Sequence, residues 1–319
     1  MQTIAMIMPY FGTFPPQFGM WKHSALCNDS VDFHIFTDAD IPSERNIIVH
    51  HMTFETFADI FRKAFNFAIV LNRPYKLCEY KPAYGYVLKD YLRGYDFWGF
   101  GDMDLVYGDI RAFLTDDILS RYKMLLGYGH MTLFRNDEDT NTYFMTRADG
   151  YQCYKDAFTT ETITFFDEYD HGGMADRWRD LRRGDCALED EFGGQFPFDN
   201  ASKPKQEYHF VSLTRGWQRV IFEHEGKKLY MLRMKDGKPE RKESLYAHFQ
   251  HRPFTRDRVT DYSHFLILPA AIIDYPSHFV NLKLRWYCRC RHLATLYYRW
   301  YARVQYRFYT LTHGAHFGH

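Results

Sequence analysis

The chain has 319 residues, 46% of them hydrophobic, so it is long enough to bury one large core or a core with an appendage. Its 40 basic and 40 acidic residues give a formal net charge of +0, and no global excess of charge indicates a nucleic-acid-binding protein. Aromatic residues make up 19% of the chain. Such side chains stack on sugar rings and lie at membrane interfaces, and they equally fill large cores.

The cysteines and the apolar runs bear on the compartment. The six cysteines are scattered, and the one close pair, Cys288 and Cys290, lacks the second pair that a zinc site needs. The N-terminus lacks the basic segment of a signal peptide, and the longest apolar run, residues 265–273, is too short to span a bilayer. We therefore expect a cytoplasmic protein whose membrane contact is peripheral, on the inner face of the cell membrane.

The first 130 residues predict alternating strands and helices. Apolar runs at residues 4–9, 31–37, 46–51 and 95–101 predict strands, and helical periodicity predicts helices at residues 54–71 and 84–92. Strands that alternate with helices indicate a parallel α/β sheet, whose ligands lie at the carboxyl ends of the strands. Asp38 and the Asp102-Met103-Asp104 segment follow two of these strands, so we expect them to face one crevice.

The second half of the chain has a different pattern. Strand-like runs at residues 220–223, 228–234 and 244–250 are separated by turn signals at residues 226–227 and 235–238, which predict a small antiparallel meander. Beyond Pro276 the pattern predicts a long helix. We therefore divide the chain into a domain of residues 1–275 and a helical tail of residues 276–319.

The Asp102-Met103-Asp104 segment is the strongest candidate for chemistry. Two carboxylates one residue apart, after a buried strand, can share a Mn²⁺ or Mg²⁺ ion that bridges a diphosphate. His248 near the end of the meander is a candidate third ligand. Taken alone, an Asp pair often caps a helix or fills a turn, and one histidine among 16 is more often structural.

Other polar segments are candidates for donor and acceptor contacts. Lys81 at the start of a predicted helix could meet diphosphate oxygens, with Tyr84 beside it, although Lys81 could equally be solvated and Tyr84 part of the core. An acidic segment suggests Glu189 or Asp190 as a base on an acceptor hydroxyl, and a solvated acidic face explains it as well. His130 and Asn136, between two strand-like runs, could reach an acceptor sugar or form a structural turn.

The C-terminal segment is basic and aromatic. From residue 282 to residue 309 there is no acidic residue, and Arg299, Arg303 and Arg307 form a stripe beside an apolar helical face. A basic amphipathic helix is typical of proteins that bind anionic lipid surfaces, although packing against the protein would give the same apolar pattern. We expect residues 282–309 to contact an anionic membrane.

Residues 75–110, with the KPAYG block at 81–85 and the GDMD block at 101–104, resemble a bacterial family of polysaccharide and lipopolysaccharide biosynthesis proteins. That family is mostly described as a domain of unknown function with a GT-A glycosyltransferase fold, and residues 129–136 and 248–252 look like its later motifs. The resemblance extends from the N-terminus to about residue 253. It implies an α/β fold of the GT-A type, a Rossmann-like mixed sheet with a small meander, followed by the basic amphipathic tail.

The layout is more distantly similar to the retaining lipopolysaccharide galactosyltransferases. By position, this resemblance implies that Asp102, Asp104 and His248 are the metal ligands. It also implies that Asp38 lies near the nucleoside and Lys81 near the diphosphate or donor sugar. Glu189 and Asp190 transfer least clearly, because the acceptor-side motif does not match, so the catalytic base and the stereochemical outcome stay open.

These observations predict a glycosyltransferase that depends on Mn²⁺ or Mg²⁺. It would move a sugar from a nucleotide-sugar donor, with uridine implied by the resemblance alone, to a lipopolysaccharide, capsule or other cell-surface glycan. A haloacid-dehalogenase-like phosphatase is one alternative, with Asp102 as the nucleophile, but that nucleophile normally follows the first strand of its domain. A non-catalytic scaffold at the membrane surface is the other.

Overall fold

The computed structural model describes residues 1–15, 17–168, 171–188, 220–235, 238–248, 257–268 and 271–276. The predictions for Glu189, Asp190 and the tail from residue 276 to residue 319 therefore lie, apart from residue 276 itself, outside the described residues. Within the described ranges, no helix is long and apolar enough to cross a membrane. The fold is mixed α/β, with two large sheets and a short two-stranded pair between them.

The first sheet has seven strands in the order β3-β2-β1-β4-β7-β6-β8. Their bounds are β1 Ile4–Pro9, β2 Val31–Thr37, β3 Ile47–His51, β4 Phe97–Gly101, β6 Met124–Tyr128, β7 Met131–Arg135 and β8 Cys186–Leu188. The first four strands in chain order are parallel, as the alternating pattern predicts. β7 is antiparallel to both β4 and β6, and β8 is parallel to β6, so the complete sheet is mixed.

Strand β1 lies at the centre of this sheet and is buried on both faces. Ile4, Met6 and Met8 belong to the core on one face, and Ala5 and Ile7 belong to the core on the other. A strand covered on both faces is a continuous apolar run rather than an alternating one, which is why the sequence pattern identifies it. The order 3-2-1-4 reverses direction at β1, and this point is where doubly wound sheets place their ligands.

The helices flank this sheet. Their bounds are α1 Phe18–Leu26, α2 Phe54–Ala64, α3 Tyr84–Val87, α4 Ile110–Phe113, α5 Asp116–Arg121, α6 Glu138–Thr142, α7 Tyr154–Thr159 and α8 Met174–Leu181. Three 3₁₀ segments accompany them, at Pro74–Ala83, Tyr143–Met145 and Arg183–Asp185. Helix α2 begins where the Thr53 hydroxyl accepts a hydrogen bond from the amide of Thr56.

Both helix predictions in the first half are too long. Helix α2 ends at Ala64, because Phe65 has an extended backbone conformation, and further along the chain Val70 N donates to the carbonyl of Phe158. The predicted helix at residues 84–92 shrinks to α3, Tyr84–Val87. Pro82 lies at the end of the preceding 3₁₀ helix rather than in the first turn of an α-helix.

The second sheet has six strands in the order β11-β10-β9-β14-β15-β13. Their bounds are β9 Val220–Glu225, β10 Lys228–Lys235, β11 Lys238–Ser244, β13 Asp257–Arg258, β14 His264–Leu268 and β15 Ala271–Asp274. β9, β10 and β11 form an antiparallel meander, as predicted for this part of the chain, but its third strand is β11 rather than the predicted run at residues 244–250. The prediction missed β11, because KPERKES has none of the apolar alternation that identifies a strand.

A short strand pair lies between the two sheets. β5 (Leu105–Tyr107) pairs in antiparallel register with β12 (Tyr246–His248), and His248 is the partner of Leu105. The pair continues where Gly108 N donates to the carbonyl of Leu245 at 2.7 Å. The predicted strand at residues 244–250 therefore corresponds to two elements, the end of β11 and the separate strand β12.

At Gly108, next to this strand pair, the backbone passes very close to the backbone of Ser244. A Cβ atom at this position would overlap the backbone carbonyl of Ser244. We expect Gly108→Ala to lower the free energy of unfolding by about 1–3 kcal/mol, because neither backbone can move without disturbing the pairing. Urea unfolding of the two proteins measures this difference.

Gly184→Ala is the matched control, since a Cβ atom at Gly184 meets no atom within 4 Å and Gly184 has no positive φ. Its free energy of unfolding should stay within about 0.5 kcal/mol of the parent value. Equal stabilities for the two variants would show that the approach at Gly108 does not constrain the fold.

Candidate functional site

The candidate site lies at the carboxyl edge of the first sheet, beside β1 and β4. Strand β4 ends at Gly101, and Asp102, Met103 and Asp104 connect it to β5. The amide of Asp102 donates to the carbonyl of His130 at 3.0 Å, which ties the segment to the turn between β6 and β7. The carboxylates of Asp102 and Asp104 are 36% and 24% exposed, so solvent reaches both.

The β5–β12 pairing brings a histidine to the two aspartates. Because His248 pairs with Leu105, it lies next to Asp104, and its Nε2 is 3.6 Å from Asp104 Oδ1. One ligand atom each from Asp102, Asp104 and His248 lies within 4.8 Å of the others. The structure thus brings together the three residues that the sequence singles out as metal ligands.

This donor set suits a divalent cation. Two carboxylate oxygens and an imidazole nitrogen are ligands that Mn²⁺ accepts, and carboxylates alone suit Mg²⁺. Ligand atoms on one such ion lie about 3 Å or more apart, and the 3.6 Å separation of His248 Nε2 and Asp104 Oδ1 is compatible with that spacing. The three residues therefore fit a hard divalent ion that keeps open positions for a substrate.

Lys81 approaches these carboxylates from the interior of the protein. Its Nζ donates to Asp102 Oδ1 at 2.8 Å and to the carbonyl of Gly129 at 2.6 Å, and it is 3.8 Å from Asp167 Oδ2. The side chain is 13% exposed and its ammonium is 5.3 Å from the centre of the Phe100 ring. The lysine therefore reaches the site from a largely buried position, rather than standing in solvent.

The charges of the site shift one another's pKa values. Burial lowers the pKa of Lys81, but Asp102 and Asp167 outweigh it, and the pKa lies above its usual value. Burial raises the pKa of Asp102, but Lys81 and His248 lower it more, so Asp102 stays ionised. Burial dominates at Asp167 and holds its pKa well above the usual range despite Lys81.

His130 packs behind His248. The two imidazole rings stack with centroids 4.1 Å apart, and His130 Nε2 shares a hydrogen bond of 3.0 Å with the hydroxyl of Tyr246. His130 itself is buried, at 6% exposure. The sequence suggests an acceptor contact for His130, whereas the structure places it where it orients the His248 ring.

Asp38 lies at the neighbouring strand end. It follows β2, is exposed, and accepts a hydrogen bond from the amide of Gly12 at 2.8 Å. This bond links the ends of β1 and β2 at the carboxyl edge of the sheet. Asp38 therefore occupies the edge where the sequence analysis expects it.

Two other predicted residues make contacts within the fold. Tyr84 is 1% exposed and donates to the carbonyl of Leu77 at 3.3 Å, so it belongs to the core. Asn136 follows β7 at the opposite end of the β4–β7 ladder, where its amide donates to the carbonyls of Leu92 and Tyr95 at 2.9 Å. The structure does not bring Asn136 to the aspartates.

The sequence analysis missed two residues of the site. Tyr10 follows β1 and stacks on Phe14 with centroids 5.0 Å apart, and burial together with the charge of Asp104 raises its pKa. Asp167 lies in a segment without regular structure, so no strand end marks it in the sequence. An aromatic residue directly after the first strand was an available signal for Tyr10.

A buried carboxylate anchors the segment that carries Asp167. Glu79 accepts hydrogen bonds from the amides of Thr164 and Phe165, at 3.0 and 2.8 Å, and from the hydroxyl of Thr164. Its Oε2 is 3.8 Å from Lys76 Nζ, and both side chains are 0% exposed. The position of Asp167 beside Lys81 thus depends on a buried ion pair in the 3₁₀ helix Pro74–Ala83.

A second group of acids and a histidine lies in the second sheet. Glu223, Glu225 and His264 also bring their ligand atoms within 4.8 Å of one another. Here Arg241 already donates to Glu223 Oε2 at 2.8 Å and to Glu225 Oε2 at 2.9 Å. The guanidinium thus binds both carboxylates of this group, whereas at the sheet edge the Lys81 ammonium donates to Asp102.

Comparison with known proteins gives a family and similarities to solved structures. The profile of DUF6625, a family of unknown function, matches residues 6–276. The fold is similar to the apo-form glycosyltransferase GlyE of Streptococcus pneumoniae TIGR4, with 12% sequence identity and a TM-score of 0.27. This similarity covers 51% of the present chain and 46% of the GlyE chain, so the chain spans less than half of that protein. No curated protein matches.

The buried pair beneath the site gives a stability prediction. We expect Glu79→Gln to lower the free energy of unfolding by about 3 kcal/mol or more, because it leaves the ammonium of Lys76 without its buried counterion. Asp90→Asn is the control, since it breaks an ion pair with Arg93 whose side chains are 68% and 81% exposed. That change should stay within about 0.5 kcal/mol. Similar urea unfolding curves for both variants would contradict the anchoring role of Glu79.

Proposed function

The chain belongs to the DUF6625 family of unknown function, and from the side chains gathered at its sheet edge we propose that it is a metal-dependent glycosyltransferase. The observation that carries the proposal is the convergence of Asp102, Asp104, His248 and Lys81 at one strand end. That end lies where the strand order reverses, the position at which doubly wound sheets bind nucleotides.

Asp102, Asp104 and His248 would hold Mn²⁺ or Mg²⁺. The ion would neutralise the charge that develops on a departing nucleoside diphosphate. Asp102 stays ionised beside Lys81, as a ligand must, and His248 keeps its orientation by stacking on His130. The protein would thus contribute the three ligands and the His130 ring, which holds His248 in place.

Lys81 and the neighbouring strand ends would bind the rest of the donor. The ammonium of Lys81, which keeps its charge between two carboxylates, would contact diphosphate oxygens or the donor sugar. Tyr10, stacked on Phe14 near Asp104, offers a ring for a nucleobase, and Asp38 offers a carboxylate for a ribose hydroxyl. A uridine diphosphate sugar is the donor that we propose.

The acceptor would be a hydroxyl of a lipopolysaccharide, capsule or other cell-surface glycan that attacks the anomeric carbon. Glu189 and Asp190 stay predictions as its base, because they lie outside the described residues. Asn136 is not part of the proposal, since its amide holds backbone carbonyls at the other end of β7. His130 enters it as the residue that orients His248.

The alternatives fit the site less well. A haloacid-dehalogenase-like phosphatase places its nucleophile after the first strand, whereas Asp102 follows β4, the fourth strand in the chain. Asp102 also shares its Oδ1 with Lys81. A non-catalytic scaffold needs none of the three ligand residues near one another, and it predicts no cation-dependent nucleotide binding.

A thermal-shift series with nucleotides tests the proposal. We expect UDP to raise the melting temperature by roughly 5 °C at 100 times its Kd, and only when Mn²⁺ or Mg²⁺ is present. Asp104→Asn and His248→Gln should remove this shift and reduce sugar transfer by at least about 100-fold. Stabilisation by phosphate or beryllofluoride instead would support the phosphatase.

The second sheet supplies the matched controls. Glu225→Gln and His264→Gln change the same types of side chain in the group that Arg241 binds. Both variants should keep the cation-dependent shift of the parent protein. If no nucleotide stabilises the parent protein under any metal condition, the transferase is wrong and the scaffold is favoured.

We further propose that the protein works on the inner face of the cell membrane, held there by residues 282–309. Deletion of the chain after residue 281 should abolish co-sedimentation with anionic vesicles and leave the UDP-dependent thermal shift in place, since the ligand residues all precede the deletion. Neutral vesicles are the control. Undiminished co-sedimentation of the shortened chain would contradict the membrane contact.

A further inference from the structure

The Lys81 ammonium lies beside two carboxylates, and it donates a hydrogen bond to one of them. Its Nζ donates to Asp102 Oδ1 at 2.8 Å, whereas Asp167 Oδ2 lies 3.8 Å away. The carbonyl of Gly129, at 2.6 Å, completes the set. A shift of about 1 Å would therefore bring Nζ within hydrogen-bond distance of Asp167.

The Asp102 carboxylate has two roles, as the partner of Lys81 and as a proposed metal ligand. It accepts from Lys81, and it is one of three groups whose ligand atoms lie within 4.8 Å of one another. An ammonium and a divalent cation repel each other at such distances, and Lys81 is too deeply buried for water to screen the two charges fully. Lys81 therefore holds one oxygen of the carboxylate that a bound cation would also use.

Asp167 is placed to resolve this conflict. Its side chain is 2% exposed, and its Oδ2 makes no hydrogen bond within the described part of the chain. Glu79 fixes the segment before it through the amides of Thr164 and Phe165. A buried carboxylate oxygen that lacks a donor, held beside an ammonium, is ready to accept one.

We propose that Asp167 is a positioning residue that takes over Lys81 when Asp102 binds a divalent cation. This inference rests on the proposed metal centre. In the exchange, Lys81 keeps its hydrogen bond to the Gly129 carbonyl, gives up Asp102 and donates to Asp167. Asp102 is then free to act as a ligand, and Lys81 keeps a buried counterion instead of standing next to a cation without one.

The exchange predicts an energetic coupling between the two residues. If Asp167 acts through Lys81, its removal weakens cation binding because Lys81 then stays on Asp102. In a protein without Lys81, loss of Asp167 removes only a buried carboxyl group that has no ammonium to hold. A double-mutant cycle separates these contributions.

The experiment is a Mn²⁺ titration without nucleotide, in which electron paramagnetic resonance measures the free ion. The proteins are the parent chain, Asp167→Asn, Lys81→Met and the double variant. We expect Asp167→Asn to weaken Mn²⁺ binding about tenfold, and Lys81→Met to strengthen it about tenfold because a nearby positive charge is gone. Asp167→Asn in the Lys81→Met protein should weaken binding by no more than about twofold.

Three further proteins sharpen the result. Asp167→Glu keeps the carboxylate and should stay within about threefold of the parent affinity. Lys22→Met removes a lysine paired with Glu44 at 2.7 Å on another part of the fold, and it should leave the affinity unchanged. If Lys81→Met does not unfold cooperatively in buffer with a metal chelator, it is not properly folded, and Lys81→Gln takes its place.

The outcomes distinguish the two proposals. If the parent chain binds Mn²⁺ and Asp167→Asn weakens binding equally with and without Lys81, the exchange is overturned and the metal centre stands. If the parent chain binds no Mn²⁺, the metal centre falls and the exchange with it. A loss of affinity that depends on Lys81 and is rescued by Asp167→Glu supports the exchange.

Discussion

The arrangement of the site depends on three pairs of backbone partners between β5 and β12. β5 follows Asp104 immediately and leaves the first sheet to pair with β12, so the register that joins His248 to Leu105 also sets the histidine beside the aspartate. Backbone register fixes residue positions more firmly than a contact between long side chains does. The pairing of β5 with β12 thus determines whether His248 lies beside the two aspartates.

The sequence predicts the parts of this arrangement that depend on burial along one segment. Strands β1 and β4 are continuous apolar runs because both faces of the sheet are covered, and Asp102 is recognisable as the polar residue after such a run. The end of α2 was missed because Phe65 and Ile69 fit a helical period as well as an extended one. β11 was missed because its charged sequence carries no period at all.

Contacts between distant segments were not predictable in this way. His248 was proposed as a ligand from its residue type and a family resemblance, and nothing in its local sequence specifies a pairing with Leu105. Asp167 lies in an irregular segment that is held by Glu79, a residue of the 3₁₀ helix Pro74–Ala83. The two clusters of acids and histidine look alike in composition, and the sequence does not show that Arg241 binds both glutamates of one cluster while Lys81 binds Asp102 of the other.

The pairing of β5 with β12 has a consequence for how the protein acquires its site. Asp102 and Asp104 are made early in synthesis, and His248 follows only after most of the chain has been made. Contacts of such high sequence separation form late, because the entropy of closing the intervening loop opposes them. A growing chain would therefore carry Asp104 and the pair of Asp102 and Lys81 before His248 is in place. In the proposed function, the complete set of ligands would therefore form only with the finished fold.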